Sequence, residues 1–370
     1  ETISSIYKSI SFYPYYLLML LATLFAKTIT IPGIYLRVSE QAGRFVILNV
    51  ALFLITVFFN LLFIVHFKQG AVGMLKGTLI ANIVMAPVFY IATYKAIKFC
   101  FKKTYFIESI KFSLPLLPGL IFAWVLNLSD RIFLERFLSI SDVGIYSLGY
   151  KIASVVTVVS SGLFAAYNPY FYKLANEGGA DVKKRIGKIN NTIVIIMLAM
   201  CFLVALFSKE IITLFISDEY NSAAKIIPLL TLGIFFSQIN GFASLMIYQE
   251  KKSIQIMLIT FSGALINVIS NIILIPLFGM IGAALATLIS FLSLFVIQYN
   301  YARKCFFIPL NWSVILPSLI ACIATFIGVE MLHIQHWGLA LLIKALVTFV
   351  FFLVIYIKYK EQIKMLFVRR

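Results

Sequence analysis

Polar and ionisable side chains lie within an apolar stretch of this chain, at a spacing that would place them on one face of a helix. Asn127 precedes Asp130 by three positions and Arg131 by four, so a helix would carry all three on one face. A charge at the centre of a membrane helix costs ~2.5–3.5 kcal/mol unless it meets a partner or a wet cavity. The three residues therefore predict either a polar cavity or a contact that joins helices.

The next apolar stretch carries Tyr146, Tyr150 and Lys151. Lys151 and Asp130 occur at similar depths in consecutive segments, so we expect an ion pair between them. Such a pair could neutralise the two charges and fix the helix register, or it could line a transport cavity. The sequence leaves both interpretations open.

Three other lysines occur inside apolar stretches. Lys27 lies deep in its segment beside Thr28 and Thr30, where it could face a cavity or extend its long stem towards the headgroups. Lys76 and Lys344 lie nearer the outer ends of their segments, and we expect both to reach the headgroups.

Amide side chains also occur within apolar stretches, and one pair has helical spacing. Asn267 and Asn271 are four positions apart, and Gln238 lies two positions before Asn240. Such groups join membrane helices by hydrogen bonds more often than they bind ligands, so we expect helix contacts here.

Catalytic and metal-binding constellations are scarce. His66, His333 and His336 lie at predicted outer ends, and the sequence places no nucleophile or acid beside them. The four cysteines have no metal-ligand spacing and imply no disulfide. No loop exceeds about twenty residues, whereas enzymes that polymerise or ligate glycans in membranes usually present a large external loop. We therefore expect no enzyme, no metal and no cofactor.

The composition requires a membrane protein. Hydrophobic residues make up 62% of the chain, charged residues 12%, and the mean hydropathy is +1.01, which excludes a soluble domain. The apolar runs are continuous, as in helices, whereas barrel strands alternate in polarity. We predict an all-α polytopic membrane protein with eleven transmembrane helices, at about 11–35, 44–66, 71–94, 112–136, 143–167, 190–207, 224–248, 254–277, 280–301, 312–332 and 337–357.

The net charge of +17 reflects membrane orientation, because the basic residues sort by loop. With a cytoplasmic C-terminus, twenty-one of them lie on the cytoplasmic side and six on the other, as the positive-inside rule requires. Nucleic acid is therefore not an expected partner, whereas anionic lipid headgroups are. The residues predicted to face the cytoplasm include Arg37, Lys102, Lys184, Lys251, Arg303 and Arg370.

A short motif recurs in the chain. Gly70–Ile80 aligns without a gap on Gly279–Ile289, a displacement of 209 positions that holds six predicted helices. The second copy of this unit has all six helices and the first only three, so we expect that about a hundred residues with three helices precede Glu1. The predicted organisation is half of an N-terminal lobe over 1–104, a six-helix C-terminal lobe over 105–305, and two further helices with a basic tail over 306–370.

Four short motifs carry a resemblance to a known family. The motifs Ser129-Asp130-Arg131, Val143 to Ser147, Tyr150-Lys151 and Asn168-Pro169 resemble the start of the C-terminal lobe of bacterial polysaccharide (O-antigen-type) flippases. These flippases belong to the superfamily of multidrug, oligosaccharidyl-lipid and polysaccharide exporters. The resemblance implies a V-shaped pair of six-helix lobes around a central cavity that opens alternately to the two sides of the bacterial inner membrane.

The resemblance also implies a cargo and a set of binding residues. The cargo would be an oligosaccharide on undecaprenyl diphosphate, flipped for O-antigen or capsule synthesis, with a polysaccharide polymerase and a chain-length regulator as further partners. The residues assigned to diphosphate or acidic sugar are Lys27, Arg131 and Lys151, and those assigned to sugar are Asn127, Tyr146, Tyr150 and Asn168, with Asp130 beside them.

Two related functions remain open. A cation-coupled multidrug antiporter of the same superfamily would usually carry membrane-embedded carboxylates, whereas we expect every acidic residue of this chain near a span end or in a loop. A lipid II flippase is similar in build, and the two extra helices do not separate it from the O-antigen type.

Overall fold

A computed structural model describes residues 12–94, 101–114, 116–177, 179–305, 310–332 and 337–367, and these residues form helices and connecting turns without a strand. His333, His336 and Arg370 lie outside the described residues. The chain divides into two compact units, Glu1–Lys102 and Lys103–Arg370.

The first unit is a three-helix assembly. A short π-helix, Phe12–Tyr16, leads into α1, and a second π-helix, Leu62–His66, follows α2. Helix α3 packs against both α1 and α2. Ile29 of α1 and Met85 and Phe89 of α3 form its small apolar core. The helix bounds are α1 Leu17–Val38, α2 Ala42–Leu61 and α3 Gly70–Thr93.

The second unit is built around α10, which packs against α6, α7, α8 and α11, while α5 packs along α11 and both α12 and α13 pack on α8. The helices are α4 Lys103–Ser113, α5 Leu116–Phe137, α6 Ile140–Ala153, α7 Val155–Glu177, α8 Ala180–Leu206, α9 Ser208–Phe215, α10 Ile227–Gln249, α11 Ser253–Ala302, α12 Trp312–Met331 and α13 Trp337–Phe367. A 3₁₀-helix, Asp218–Lys225, precedes α10.

These helices confirm the predicted all-α membrane fold. Nine helical stretches of the described residues are long and apolar enough to cross a bilayer, and each predicted segment overlaps a helix. At 1.5 Å per residue, the fifty residues of α11 span about 75 Å, more than twice the ~30 Å hydrocarbon core. The helix is interrupted at Gly279, where φ is 58°, between the predicted segments 254–277 and 280–301.

The two copies of the repeated motif form similar turns. Gly70 and Gly279 both have positive φ, 52° and 58°, which favours glycine. Three positions later, a Cβ on Gly73 would lie 2.9 Å from the carbonyl carbon of Phe63, and one on Gly282 would overlap the carbonyl oxygen of Leu274. Each motif therefore begins the second helix of a hairpin. This helix closely approaches the first, as expected for small residues at this spacing.

The prediction that Lys344 reaches the headgroups is wrong. Its Nζ atom lies 2.8 Å from Oε1 of Glu210, and the two side chains are only 6% and 7% exposed. Glu330 of α12 lies 3.8 Å from the same ammonium group. The short helix α9 brings Glu210 to α13, so the lysine is neutralised inside the protein.

Candidate functional site

Asp130 is the centre of the candidate site. It is completely buried in α5, and its carboxylate accepts hydrogen bonds from three side chains on two other helices. Tyr146 of α6 and Thr287 of α11 each donate to Oδ2 at 2.8 Å, and Asn271 of α11 donates to Oδ1 at 2.8 Å. The carboxylate therefore connects α5, α6 and both halves of α11.

The network continues along the interface between α5 and α11. Asn271 Nδ2 also donates to Asn267 Oδ1 at 3.0 Å, and Ser129 Oγ donates to the same oxygen at 2.7 Å. Elsewhere in this unit, Asn240 donates to Gln298 at 2.9 Å across α10 and α11. The prediction that these asparagines join helices is confirmed.

Local sequence determines where α6 starts and hence where Tyr146 lies. Ser139 has extended backbone angles, and its hydroxyl oxygen accepts a hydrogen bond from the amide of Asp142 at 3.2 Å, which caps the helix. Tyr146 then lies two turns into α6 with its hydroxyl against Asp130.

The predicted ion pair between Asp130 and Lys151 is not formed. Asp130 is enclosed by neutral donors, whereas Lys151 is exposed. Five positions separate Tyr146 from Lys151, which turns the lysine by about 140° around α6, at 3.6 residues per turn, from the face that meets Asp130. The two residues were predicted at similar depths in the membrane, but Lys151 lies on a side of α6 that does not face Asp130.

Arg131 occupies a half-buried position beside this network. Its Nη1 donates to the carbonyl oxygen of Asn127 at 2.9 Å, and its guanidinium lies 4.8 Å from the centre of the Tyr150 ring. Tyr150 in turn donates its hydroxyl to Asn127 Oδ1 at 3.2 Å. Within the described parts of the chain, no carboxylate forms an ion pair with Arg131, so its position is set by a carbonyl and an aromatic ring.

The structure thus brings together five of the predicted site residues, Asn127, Asp130, Arg131, Tyr146 and Tyr150. Asn168 of α7 is half-buried, and its buried Oδ1 atom has no hydrogen-bond partner. Lys27 lies exposed on α1 of the first unit, where Thr28 and Thr30 donate their hydroxyl protons to carbonyl oxygens of their own helix.

Sequence reasoning missed Thr287 and assigned Asn271 only to helix packing. Thr287 belongs to the repeated motif, which was the available signal for its position. Every acidic residue was expected near a span end or in a loop; Asp130 lies seven positions before the end of α5 at Phe137 and is completely buried in the second unit.

Two family models match overlapping parts of the chain. One described as MatE matches residues 115–273, and one described as Polysaccharide biosynthesis protein matches residues 5–175. The second model covers most of the first unit and the start of the second, and Asp130 lies within both matched ranges.

A curated relative and several solved structures are similar to the chain. Uncharacterized membrane protein MJ1068 of Methanocaldococcus jannaschii is 26% identical over 301 residues, 78% of this chain, and the alignment spans 58% of that relative's length. The structure of lipid II flippase MurJ in an inward closed conformation covers 94% of this chain and 74% of that chain, at 18% identity and a TM-score of 0.59. A mutant of the MATE transporter VcmN of Vibrio cholerae covers 82% and 70%, at 13% identity and a TM-score of 0.62.

The solved structures share their fold with this chain. The fold is shared with MATE transporters and with MurJ, and another similar structure is a multidrug resistance MATE family transporter of the MOP superfamily, at 16% identity and a TM-score of 0.59. Each of the two family models covers less than half of the chain, and these solved structures are each under 20% identical to it, so what the chain shares with these transporters is the fold.

Proposed function

We propose that the protein flips an undecaprenyl-diphosphate-linked oligosaccharide from the cytoplasmic to the periplasmic leaflet of a bacterial inner membrane, by alternating access, for surface polysaccharide synthesis. The match to the polysaccharide biosynthesis model and the fold shared with a lipid II flippase support this function. The polar headgroup needs a wet, cationic path, whereas the polyprenyl tail can remain in lipid.

Arg131 is the observation that carries the proposal. A guanidinium that is half-buried in a membrane helix and has no carboxylate partner among the described residues is suited to an anionic ligand. Because Asp130 is occupied by Tyr146, Thr287 and Asn271, it leaves the charge of Arg131 for the cargo. The neighbouring Tyr150 and Asn127 supply the ring and amide groups that bind sugars.

Tyr146 takes a different role in this proposal. It is fully buried, and its hydroxyl is engaged by Asp130, so it positions the carboxylate and leaves sugar contact to Tyr150 and Asn127. Lys151 is exposed on the other side of α6 and contributes charge at a distance from Arg131.

The test uses a strain in which the gene that encodes this chain is deleted. Arg131→Ala should reduce surface polysaccharide about ten- to hundredfold at normal protein abundance, because hydrogen bonds to a charged group contribute ~1.5–3 kcal/mol. Lys151→Ala should reduce it less, Lys151→Arg should restore activity, and Arg136→Ala, which removes an exposed arginine of the same helix, should have no effect. Normal polysaccharide in the deletion strain, with no second flippase present, would remove the proposed function.

A cation-coupled multidrug antiporter is the second candidate, and Asp130 favours it. A buried carboxyl group held by neutral donors is a suitable site for a proton or a monovalent cation. Both candidates can be assayed in proteoliposomes with a fluorescent lipid-linked oligosaccharide, lipid II or a cationic dye, each with and without a sodium or proton gradient. Gradient-driven dye export that Asp130→Asn abolishes, without flipping of either lipid, would establish the antiporter and contradict the flippase.

A further inference from the structure

A groove on the second unit lies outside the candidate site and is lined by α10, α11 and α12. Its volume is about 350 Å³. Phe235, Phe295 and Ile315 form its floor and are almost completely buried, whereas Val296 and Leu316 on its rim are about half exposed. The groove therefore opens to the outside of the second unit along these helices.

The length of the groove corresponds to one leaflet. Its lining residues along α11 run from Leu292 to the C-cap residue Arg303, which is roughly 16 Å at 1.5 Å per residue. Half of a ~30 Å hydrocarbon core is about 15 Å. One end lies in the apolar middle of the helices and the other where α11 ends at Ala302.

The two ends of the groove differ in chemistry. Leu292 and Leu319 line the apolar end, whereas Asn300 and Arg303 line the other. Near this polar end Trp312 packs edge-on against Tyr299, with ring centres 5.9 Å apart. Tryptophan and tyrosine are typical of the headgroup level of a bilayer, so the polar end lies where a lipid headgroup would be.

We propose that this groove is a binding site for one anionic phospholipid, whose acyl chain lies against Phe235, Phe295 and Ile315 and whose phosphate meets Arg303. The proposal commits to a bilayer phospholipid because the groove matches one leaflet in length, and to an anionic headgroup because its polar end carries a guanidinium. It is independent of the cargo, since none of the residues around Asp130 lines the groove.

Trp312 supplies the test, because it is one of only three tryptophans in the chain. With Trp124 and Trp337 replaced by phenylalanine, the full protein is reconstituted into bilayers that contain phosphatidylglycerol or phosphatidylcholine brominated in the acyl chains. We expect half-maximal quenching of Trp312 at a several-fold lower mole fraction of the brominated phosphatidylglycerol. Identical quenching curves for the two lipids would overturn the proposal.

Two variants locate the preference. Arg303→Gln should bring the two quenching curves together, whereas Lys304→Gln, which removes the adjacent charge outside the groove lining, should leave them apart. If Arg303→Gln does not fold, Val296→Phe narrows the groove from its exposed rim and should also abolish the difference. If folded Arg303→Gln or Val296→Phe protein still prefers phosphatidylglycerol, the assignment to a phospholipid is contradicted. It is also contradicted if stoichiometric polyprenyl diphosphate relieves the quenching of Trp312.

Discussion

The two helical hairpins of the repeat share a turn but differ in the polar groups between their helices. In both, a positive-φ glycine is followed by a glycine pressed against the preceding helix. The second hairpin places Asn271 and Thr287 on Asp130. In the first hairpin the equivalent Thr78 is half-buried and donates its hydroxyl proton to the carbonyl oxygen of Met74 in its own helix.

The asparagines show the same contrast. Asn60 precedes the turn of the first hairpin, and its buried Oδ1 atom has no hydrogen-bond partner, whereas Asn271 shares its amide with Asp130 and Asn267. The glycines thus preserve the packing of a hairpin, while the polar positions are free to take different roles. Hairpin geometry and site chemistry are separable properties of the repeat.

Replacing Asp130 should have the largest effect, because the second hairpin depends on an acceptor that the first does not use. Asp130→Leu leaves Tyr146, Thr287 and Asn271 without their shared acceptor, and each buried unsatisfied group costs ~1–3 kcal/mol. We expect a loss of at least about 3 kcal/mol, measured as a lower Tm of the purified protein. Asp130→Asn keeps an acceptor oxygen and should lose less; equal losses would contradict the hydrogen-bond assignment.

Alanine at the second glycine of each hairpin tests whether their packing is equivalent. A Cβ at position 282 would overlap the Leu274 carbonyl oxygen, whereas one at position 73 would lie 2.9 Å from Phe63. We expect Gly282→Ala to cost ~1–3 kcal/mol and Gly73→Ala somewhat less. Gly162→Ala is the matched control, because no heavy atom lies within 4 Å of its new methyl group. If Gly282→Ala and Gly73→Ala unfold at the same temperature as Gly162→Ala, the two helices of each hairpin can move apart without a loss of stability.

The asparagine pair should show the smallest and most asymmetric effect. Asn271→Ala removes donors from Asp130 and Asn267 and should cost ~1–3 kcal/mol, whereas Asn60→Ala removes a buried oxygen that has no partner and should change stability by less than about 0.5 kcal/mol. Denaturation of both variants under identical conditions gives the comparison. Equal losses would mean that Asn60 has a partner of similar strength to Asp130.

The sequence predicted the helical segments and the interhelical role of Asn267 and Asn271, because apolar run length and helical spacing are local properties. It predicted the face shared by Asn127 and Arg131 for the same reason. The pairing of Asp130 was not predictable from depth alone, since depth does not specify which side of α6 meets α5. Glu210 was missed because it lies in the eight-residue helix α9, outside the predicted apolar segments.

The buried pair between Lys344 and Glu210 has a consequence for the synthesis of the protein. The two residues are 134 positions apart, so at about 5–20 residues per second the ribosome needs roughly 7–27 s to supply the lysine after the glutamate. During that interval the carboxylate of Glu210 lacks its counter-ion, and in a nascent chain that stops before α13 it stays unpaired with Lys344. Only completion of the last helix therefore supplies the counter-ion for the buried carboxylate.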